Sequence, residues 1–396
     1  MVFAVRPLAP AGWEETNALL RSVGVSAAGT AYMRDKGVFH ILRADGLAPA
    51  AARILKQEML SRGGECALHE KVLTGETGPS SVLLMGTERQ LRELCRKLAM
   101  QQFALPRLAE ELLLVLENLE KREFAVPYKD GELTLGRKTA IMGILNVTPD
   151  SFSDGGLYMT PEAALQLALG MQERGADIID VGGESTRPGF LPVDAEEEKK
   201  RVLPVIAALM PLLKIPVSID TSKAEVAEAA LLAGASIIND QGGLQKDPRM
   251  AALAAATDAP VVVMHNPEKE TPEDGDLMGD MIAFFRRSIA LGLEAGMREN
   301  RFILDPGLGF KKTQRQNFQA LARLAELRCL GLPILAGPSR KSFMGRLLDL
   351  PPAGLDGATA AAAALSVANG AHLLRVHDVG ATVQAAKIAD AVAGQN

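Results

Sequence analysis

Ile141-Met-Gly-Ile-Leu-Asn-Val-Thr-Pro-Asp-Ser-Phe-Ser-Asp-Gly-Gly156 is the stretch on which the fold turns. Its first half, Ile141 to Leu145, is apolar and β-prone and follows charged residues, which is the pattern of a strand buried on both faces. Its second half turns polar, with Pro149, two aspartates, two serines and a Gly-Gly pair before helical spacing resumes. A loop of about a dozen residues exceeds the usual two to six of a βα connection, and loops of that length tend to be functional. Buried strands feeding polar loops are how α/β proteins build sites at the carboxyl ends of strands.

The same arrangement recurs downstream. Short apolar runs occur at 141–145, 177–181, 215–219, 235–238, 260–264, 301–304, 332–336 and 371–376. Helical patterns lie between them, at Pro161–Arg174, Ala195–Leu213, Lys223–Ala233, Leu277–Met297, Arg315–Leu330 and Val379–Val392. Alternation of this kind over about 255 residues matches the size of a (β/α)8 TIM barrel. A doubly wound open sheet is the competing fold, but it usually carries a glycine-rich phosphate loop, and no G-x-G-x-x-G or Walker sequence is present.

Upstream the pattern differs. Strands are expected at Val38–Leu42, Glu65–Leu73 and Ser81–Met85, and helices at Pro49–Arg62, Glu88–Gln101 and Pro106–Arg122. The α/β barrel over 139–396 is thus preceded by a small α+β domain over 1–125, with 126–138 as a linker and a possible short hairpin. No cluster of catalytic residue types marks the first domain, and His40 and His69 read as structural or surface histidines.

Composition narrows the function. A formal net charge of −5 provides no global field for nucleic acid or anionic membrane, so any anion site must be local. Aromatics make up only 4%, without the basic–aromatic interleaving that stacks bases. The three cysteines form no C-x-x-C pair, which disfavours a disulfide framework or zinc site and fits a reducing cytoplasm. Arg6, Pro7 and Pro10 interrupt any signal-peptide pattern. Ala358 to Leu374 is mostly alanine, broken by Ser366, Asn369 and Gly370, and reads as a packed helix and turn instead of a membrane span.

A barrel predicts that functional side chains cluster where strands end. The strand runs lead into Asn146, Asp180, Asp220, Asn239-Asp240, His265-Asn266, Asp305, Gly337 to Ser342, and Arg375 to Asp378. Asp and Asn are good helix caps, and Asp220 is placed to cap a helix beginning near Lys223. Capping does not explain polar groups at all eight ends. Asp220, Asn239 and Asp305 suit a planar heterocycle with several N–H groups, since a carboxylate pairs with an N–C–N edge through two parallel hydrogen bonds. Arg375, His377, Asn146 and Arg187 suggest an anion or metal–anion subsite, with a structural histidine as the alternative for His377. No G-x-S-x-G elbow or H-E-x-x-H helix is present, so covalent catalysis has no evident nucleophile.

Together, Ile141–Gly156, Asp180–Gly189, Ser218–Ser222, Ile238–Asp240, Leu304–Gly309, Ser339–Ser342 and Arg375–Asp378 closely resemble the dihydropteroate synthase family over about residues 137 to 393. The resemblance implies a TIM barrel that condenses (7,8-dihydropterin-6-yl)methyl diphosphate with 4-aminobenzoate. It further implies Mg2+, a homodimer and a cytoplasmic location. By position it assigns Asp220, Asn239, Asp305 and Lys341 to the pterin, with Met264 and Phe310 as apolar walls and Arg340 near the outer face. Arg375, His377 and Asn146 fall to the diphosphate, with Asn146 at the Mg2+. Thr186, Arg187 and Pro188, with Ser342, fall to the aminobenzoate. Asp220, Lys341, Arg375 and His377 would then act on the reaction itself, and the 146–156 and 184–190 loops would exclude water.

The sequence departs from the family at His265-Asn266-Pro267-Glu268, at Lys311 in place of a glycine, and at Pro338 before the Ser-Arg-Lys-Ser run. Two rival functions remain open. One is a methyltetrahydrofolate-dependent corrinoid methyltransferase, whose barrel has a similar pterin set. The other is a non-catalytic pterin-binding protein.

Overall fold

A computed structural model of the chain describes residues 4–8, 10, 12–75, 78–147, 160–184 and 193–394. It divides into two compact units, Met1–Glu120 and Lys121–Asn396.

The first unit begins with α1 (Trp13–Ser22) and α2 (Ala27–Gly37), neither of which the sequence pattern suggested. There follow β1 (Phe39–Leu47), α3 (Pro49–Leu60), β2 (Glu65–Leu68), α4 (Lys71–Thr74), β3 (Ser80–Thr87), α5 (Glu88–Leu98) and α6 (Leu105–Glu120). The strands form an antiparallel sheet in the order β1-β3-β2. Val82, Leu84 and Cys66 from the sheet join Leu55, Met59, Leu91, Leu94 and Leu116 in one core. The strand expected over Glu65–Leu73 stops at Leu68. The backbone N–H of Lys71 bonds to His69 Nδ1, and a helical turn follows. Thr87 starts α5 with a capping box completed by Gln90, which satisfies the donors a helix N-terminus otherwise leaves unpaired.

The second unit opens with the hairpin of β4 (Phe124–Tyr128) and β5 (Gly131–Leu135). This is the segment expected to be a linker with a short hairpin, and the hairpin is present but is packed into the barrel. Val126, Leu133 and Leu135 form a cluster with Ala140, Met142, Ile178, Ile237, Val262, Ile303, Leu335 and Leu373. Those eight come from seven of the eight barrel strands, two of them from the first, so the hairpin plugs the amino-terminal end of the barrel. Arg301 fixes it further by donating to the Pro127 carbonyl while pairing with Asp258.

The barrel follows: β6 (Ala140–Asn146), α7 (Pro161–Glu173), β7 (Ile178–Gly182), α8 (Ala195–Leu209), β8 (Val217–Asp220), α9 (Ala224–Leu232), β9 (Ile237–Asp240), α10 (Arg249–Thr257), β10 (Val261–Met264), α11 (Leu277–Glu294), β11 (Phe302–Asp305), α12 (Gln314–Ala322), β12 (Leu335–Ala336), α13 (Ser342–Leu348), α14 (Asp356–Ala368), β13 (Leu373–Val376) and α15 (Val379–Ala393). All eight expected strands are present, parallel, in the order β11-β10-β9-β8-β7-β6-β13-β12. A parallel bridge between Leu304 and Ile334 joins the two ends, so the sheet closes on itself. Helices α10 and α13 are additions to the expected set. Among the described residues no helix is long and apolar enough to cross a membrane.

Strand alternation explains why one end of this barrel is polar. Successive residues of a strand point to opposite faces. Outward-facing Ile179, Val181, Ile219, Ile238, Val263, Leu304 and Val376 therefore pack against the helices. The inward file turns polar along several strands: Ile178 is followed by Asp180, Ile237 by Asn239, Ile303 by Asp305, and Leu373 by Arg375, while on β10 Val262 is followed by the apolar Met264. A dry floor thus carries a buried polar layer at the carboxyl ends.

Candidate active site

Arg375 organises that layer. From β13 its Nε donates to Asp180 Oδ2 on β7 at 2.6 Å, and its Nη2 donates to Asp220 Oδ2 on β8 at 2.6 Å. Asn239 Nδ2 donates to the same Asp180 oxygen at 2.9 Å, and Gln241 Nε2 donates to Asp220 Oδ1 at 2.6 Å. Three neighbouring strands and β13 are tied together by charge-assisted bonds, the strongest protein hydrogen bonds. Capping does not account for Asp220. The N-cap of α9 is Lys223, without a side-chain cap bond, and the Ala224 N–H is taken by Asp247 Oδ2 at 2.9 Å.

Burial makes these charges expensive unless they are paired. Asp180 is fully buried, yet its Oδ1 has no partner among the described residues. Burial, with Asp180 and Glu198 adding, pushes the Asp220 carboxyl up to about 7 against the opposing Arg375 and Gln241. Asp305 is also raised by burial, opposed by the Gly307 N–H and by Lys341, Arg375 and Lys312. Burial works against the Arg375 charge, but Asp180 and Asp220 outweigh it and hold the guanidinium protonated. The layer is therefore rich in buried acceptors around one fixed cation, and a ligand presenting several N–H groups would satisfy them.

The remaining candidates surround this layer. Met264 is buried at the end of β10 and pairs in register with Asp305, whose Oδ1 accepts from Gly307 N at 2.8 Å. Lys341 Nζ lies 4.3 Å from the centroid of the Phe310 ring. Ser342, the first residue of α13, is exposed. His377 Nδ1 and Ser339 Oγ are 2.9 Å apart, and the His377 N–H also bonds to Ser339 Oγ, so the histidine is oriented from the β12–α13 loop. Arg340, placed by resemblance near the outer face of the pterin, has a salt-bridge partner of its own. Its guanidinium makes a two-pronged pair with Asp356 at 2.8 and 3.2 Å, directed to the start of α14. Thr186, Arg187 and Pro188 lie outside the described residues, as does the whole stretch from Thr148 to Gly156.

For a divalent cation the relevant observation is at Gly182. A side chain there would meet Asn146 Oδ1 at 3.4 Å and Asp220 Oδ2 at 3.6 Å, so two hard oxygens face one small space. No group of three or more His, Cys, Asp or Glu suited to a metal occurs among the described residues. That donor set fits Mg2+, which typically takes few protein ligands and relies on substrate phosphates.

Several contributors were not singled out from sequence. Asp180 reads from sequence only as a strand end, although its spacing of two from Gly182 puts it on the inward file. Gln241 and Ser339 were missed because their work is to orient Asp220 and His377. Lys223 stands at the start of α9 as the sequence suggests, and its Nζ also joins Glu184 and Glu198 at 2.5 and 2.6 Å, anchoring the root of the loop after β7. A cavity of about 760 Å3 opens beside the polar layer, lined by His265, Asn266, Phe284, Arg287 and Lys311 among others. We place the chemistry at the polar layer, because its charges are buried and mutually bonded, whereas the cavity's charged residues are exposed.

Comparison with known proteins is decisive here. The pterin binding enzyme family matches residues 142–377, from the first barrel strand to the last. The chain belongs to this family. Within it, dihydropteroate synthases of Synechocystis and Bacillus subtilis are each 47% identical, over 65% and 67% of this chain and 91% and 92% of their own. A solved Xanthomonas albilineans dihydropteroate synthase with 4-aminobenzoic acid is 45% identical, with a TM-score of 0.62 over 66% of this chain and 95% of that one. A Coxiella burnetii dihydropteroate synthase in complex with pteroic acid gives 36% and 0.63, over 69% and 100%. A probable bifunctional folylpolyglutamate synthase/dihydropteroate synthase of Halobacterium salinarum is 42% identical over 94% of this chain and 45% of its own length. That match extends beyond the barrel, so most of the first unit is shared with this pterin-family relative as well.

Proposed function

We propose that the chain acts as a dihydropteroate synthase, joining (7,8-dihydropterin-6-yl)methyl diphosphate to 4-aminobenzoate with release of diphosphate. The observation that carries this reading is the buried acceptor layer of Asp180, Asp220, Asn239 and Asp305 built around Arg375, in a family of pterin-binding enzymes. The corrinoid methyltransferase alternative is not favoured, since the relatives found at 44–47% identity are dihydropteroate synthases.

In this reading the 2-amino/N3 edge of the pterin lies on Asp305 and the ring carbonyl side on Lys341. Asp220 and Asn239 bond the rest of the ring edge, and Met264 and Phe310 flank its faces. Selectivity follows because a ring lacking those donors leaves buried acceptors unpaired. The bonds to Asp180 and Asp220 leave further N–H groups of Arg375 for the diphosphate, with His377 beside it.

The C–O bond to diphosphate breaks and its electron pair departs with the leaving group. The pterin-stabilised cation is trapped by the aromatic amine's lone pair, and the amine then loses a proton. Such a path calls for stabilisation of separating charges and no strong base. Asp220, once deprotonated, supplies negative charge beside the cation, and Arg375 supplies positive charge to the leaving group. Mg2+, held by Asn146 and substrate oxygens, would neutralise charge on the diphosphate. Thr186, Arg187 and Pro188, with Ser342, take the aminobenzoate. Exclusion of water by the loops after β6 and β7 prevents capture of the cation as the alcohol.

A homodimer through barrel helices away from the mouth belongs to the same proposal. Exposed Leu365 on α14 and Ile388 and Val392 on α15 give those helices apolar surface to cover. A cytoplasmic location fits three cysteines that form no disulfide, two of them buried. The direct test is mass-spectrometric detection of 7,8-dihydropteroate from the two substrates; its absence at saturating concentrations overturns the proposal.

A further inference from the structure

Lys312 stands immediately after the Lys311 that replaces a family glycine, and no step above uses it. Its Nζ donates to three backbone carbonyls: Gly307 at 3.1 Å, Phe310 at 3.1 Å and His265 at 3.3 Å. Two of these lie in the loop after β11 and the third in the loop after β10. The ammonium is therefore a cross-link between adjacent loops, and its three donors are matched to three acceptors.

The residues it joins are those flanking the heterocycle. His265 follows Met264, and its backbone N–H bonds to the Asp305 carbonyl at 2.8 Å. Gly307 donates to Asp305 Oδ1, and its positive φ of 64° and close approach to the His265 carbonyl leave no room for a side chain. Phe310 carries the ring against Lys341. Asn317 braces the same cup from α12, accepting from Gly309 N at 2.6 Å and donating to the Lys312 and Thr313 carbonyls at 3.2 and 2.8 Å.

We propose that Lys312 is a positioning residue for the pterin subsite, setting the separation and orientation of Asp305 and Phe310 by clamping the carbonyls of His265, Gly307 and Phe310. The inference rests on the pterin reading of Asp305 and extends it to a residue outside the ligand-contacting set. Burial pushes the Lys312 ammonium down to about 7, with Asp305 opposing that shift and Lys341 adding to it. A surface lysine with a merely solubilising role would show neither this burial nor a complete set of acceptors.

The test compares the full-length chain with K312M and K312R, and with D305A as a reference for loss of the subsite. Steady-state kinetics are measured with each substrate varied in turn, and thermal unfolding is followed in parallel. The clamp predicts that K312M raises KM for the pterin diphosphate by about tenfold or more while KM for 4-aminobenzoate stays within about twofold. K312R, which keeps a cation but not its compact shape, recovers part of that loss. A residue needed only for folding lowers the active fraction, and so kcat, with both KM values unchanged. That outcome, or equal changes in both KM values, overturns the proposal. If K312M does not fold, the K312R split decides by the same criterion. An inactive wild-type chain instead indicts the assigned reaction and is distinguishable from either result.

Discussion

Arg375 and Asp220 are 155 residues apart in the chain, and their side chains meet at 2.6 Å across the top of the barrel. On the proposed reading one serves the anion and the other the pterin, so this contact would join the two halves of the site electrostatically. Arg375→Lys is expected to fail as a substitute, because a single ammonium cannot reproduce the planar fork between Asp180 and Asp220. We expect kcat/KM for the pterin diphosphate to fall by about a hundredfold or more. Arg375→Met strands two buried carboxylates and should also destabilise the fold by about 3–5 kcal/mol, read by denaturant unfolding.

The raised Asp220 carboxyl gives a pH prediction with a definite sign. A carboxyl at about 7 in the free protein must lose its proton to stabilise a cation, so kcat/KM for the pterin diphosphate should rise through that pH. Stability moves the other way. The folded state holds this proton above the pH at which the unfolded chain releases it. This group's contribution is therefore present below its ordinary carboxylate range and lost as pH rises through about 7. Asp220→Asn should remove that stability slope, as measured by unfolding free energy across pH.

Substitutions should separate the two substrates. Asp305→Ala and Lys341→Ala are expected to abolish detectable pterin binding in calorimetry. Arg187→Ala should mainly raise KM for 4-aminobenzoate, and unchanged aminobenzoate kinetics would refute its assignment.

The hairpin that fills the barrel floor predicts a stability effect uncoupled from chemistry. Leu135 is fully buried against the floor, and Leu135→Ala should cost about 2–5 kcal/mol of unfolding free energy. Activity per folded molecule should remain near that of the parent, since the floor lies at the opposite end of the strands from Arg375.

Much of this architecture was legible in the sequence. Eight apolar runs with polar ends locate eight parallel strands, because a strand buried on both faces leaves a nearly continuous hydrophobic signature. The hairpin at 124–135 was not legible as barrel floor. Its Pro, Gly and charged residues mark a turn-rich segment, and only the tertiary contacts of Val126, Leu133 and Leu135 reveal what it covers. Within the site, residues carrying charge at strand ends could be found by position. Those acting through a neighbour could not: Gln241 on Asp220, Ser339 on His377 and Lys312 on three carbonyls each depend on a side chain's direction, which spacing alone does not fix. Arg340 illustrates the reverse case, since its position in the Ser-Arg-Lys-Ser run gave no sign of the pair it makes with Asp356.

The central claim is tested most directly by following diphosphate release from (7,8-dihydropterin-6-yl)methyl diphosphate with Mg2+, with and without 4-aminobenzoate. The account predicts release that depends on the amine and yields one 7,8-dihydropteroate per diphosphate. No release at saturating substrates, or release that proceeds equally without the amine, would contradict it.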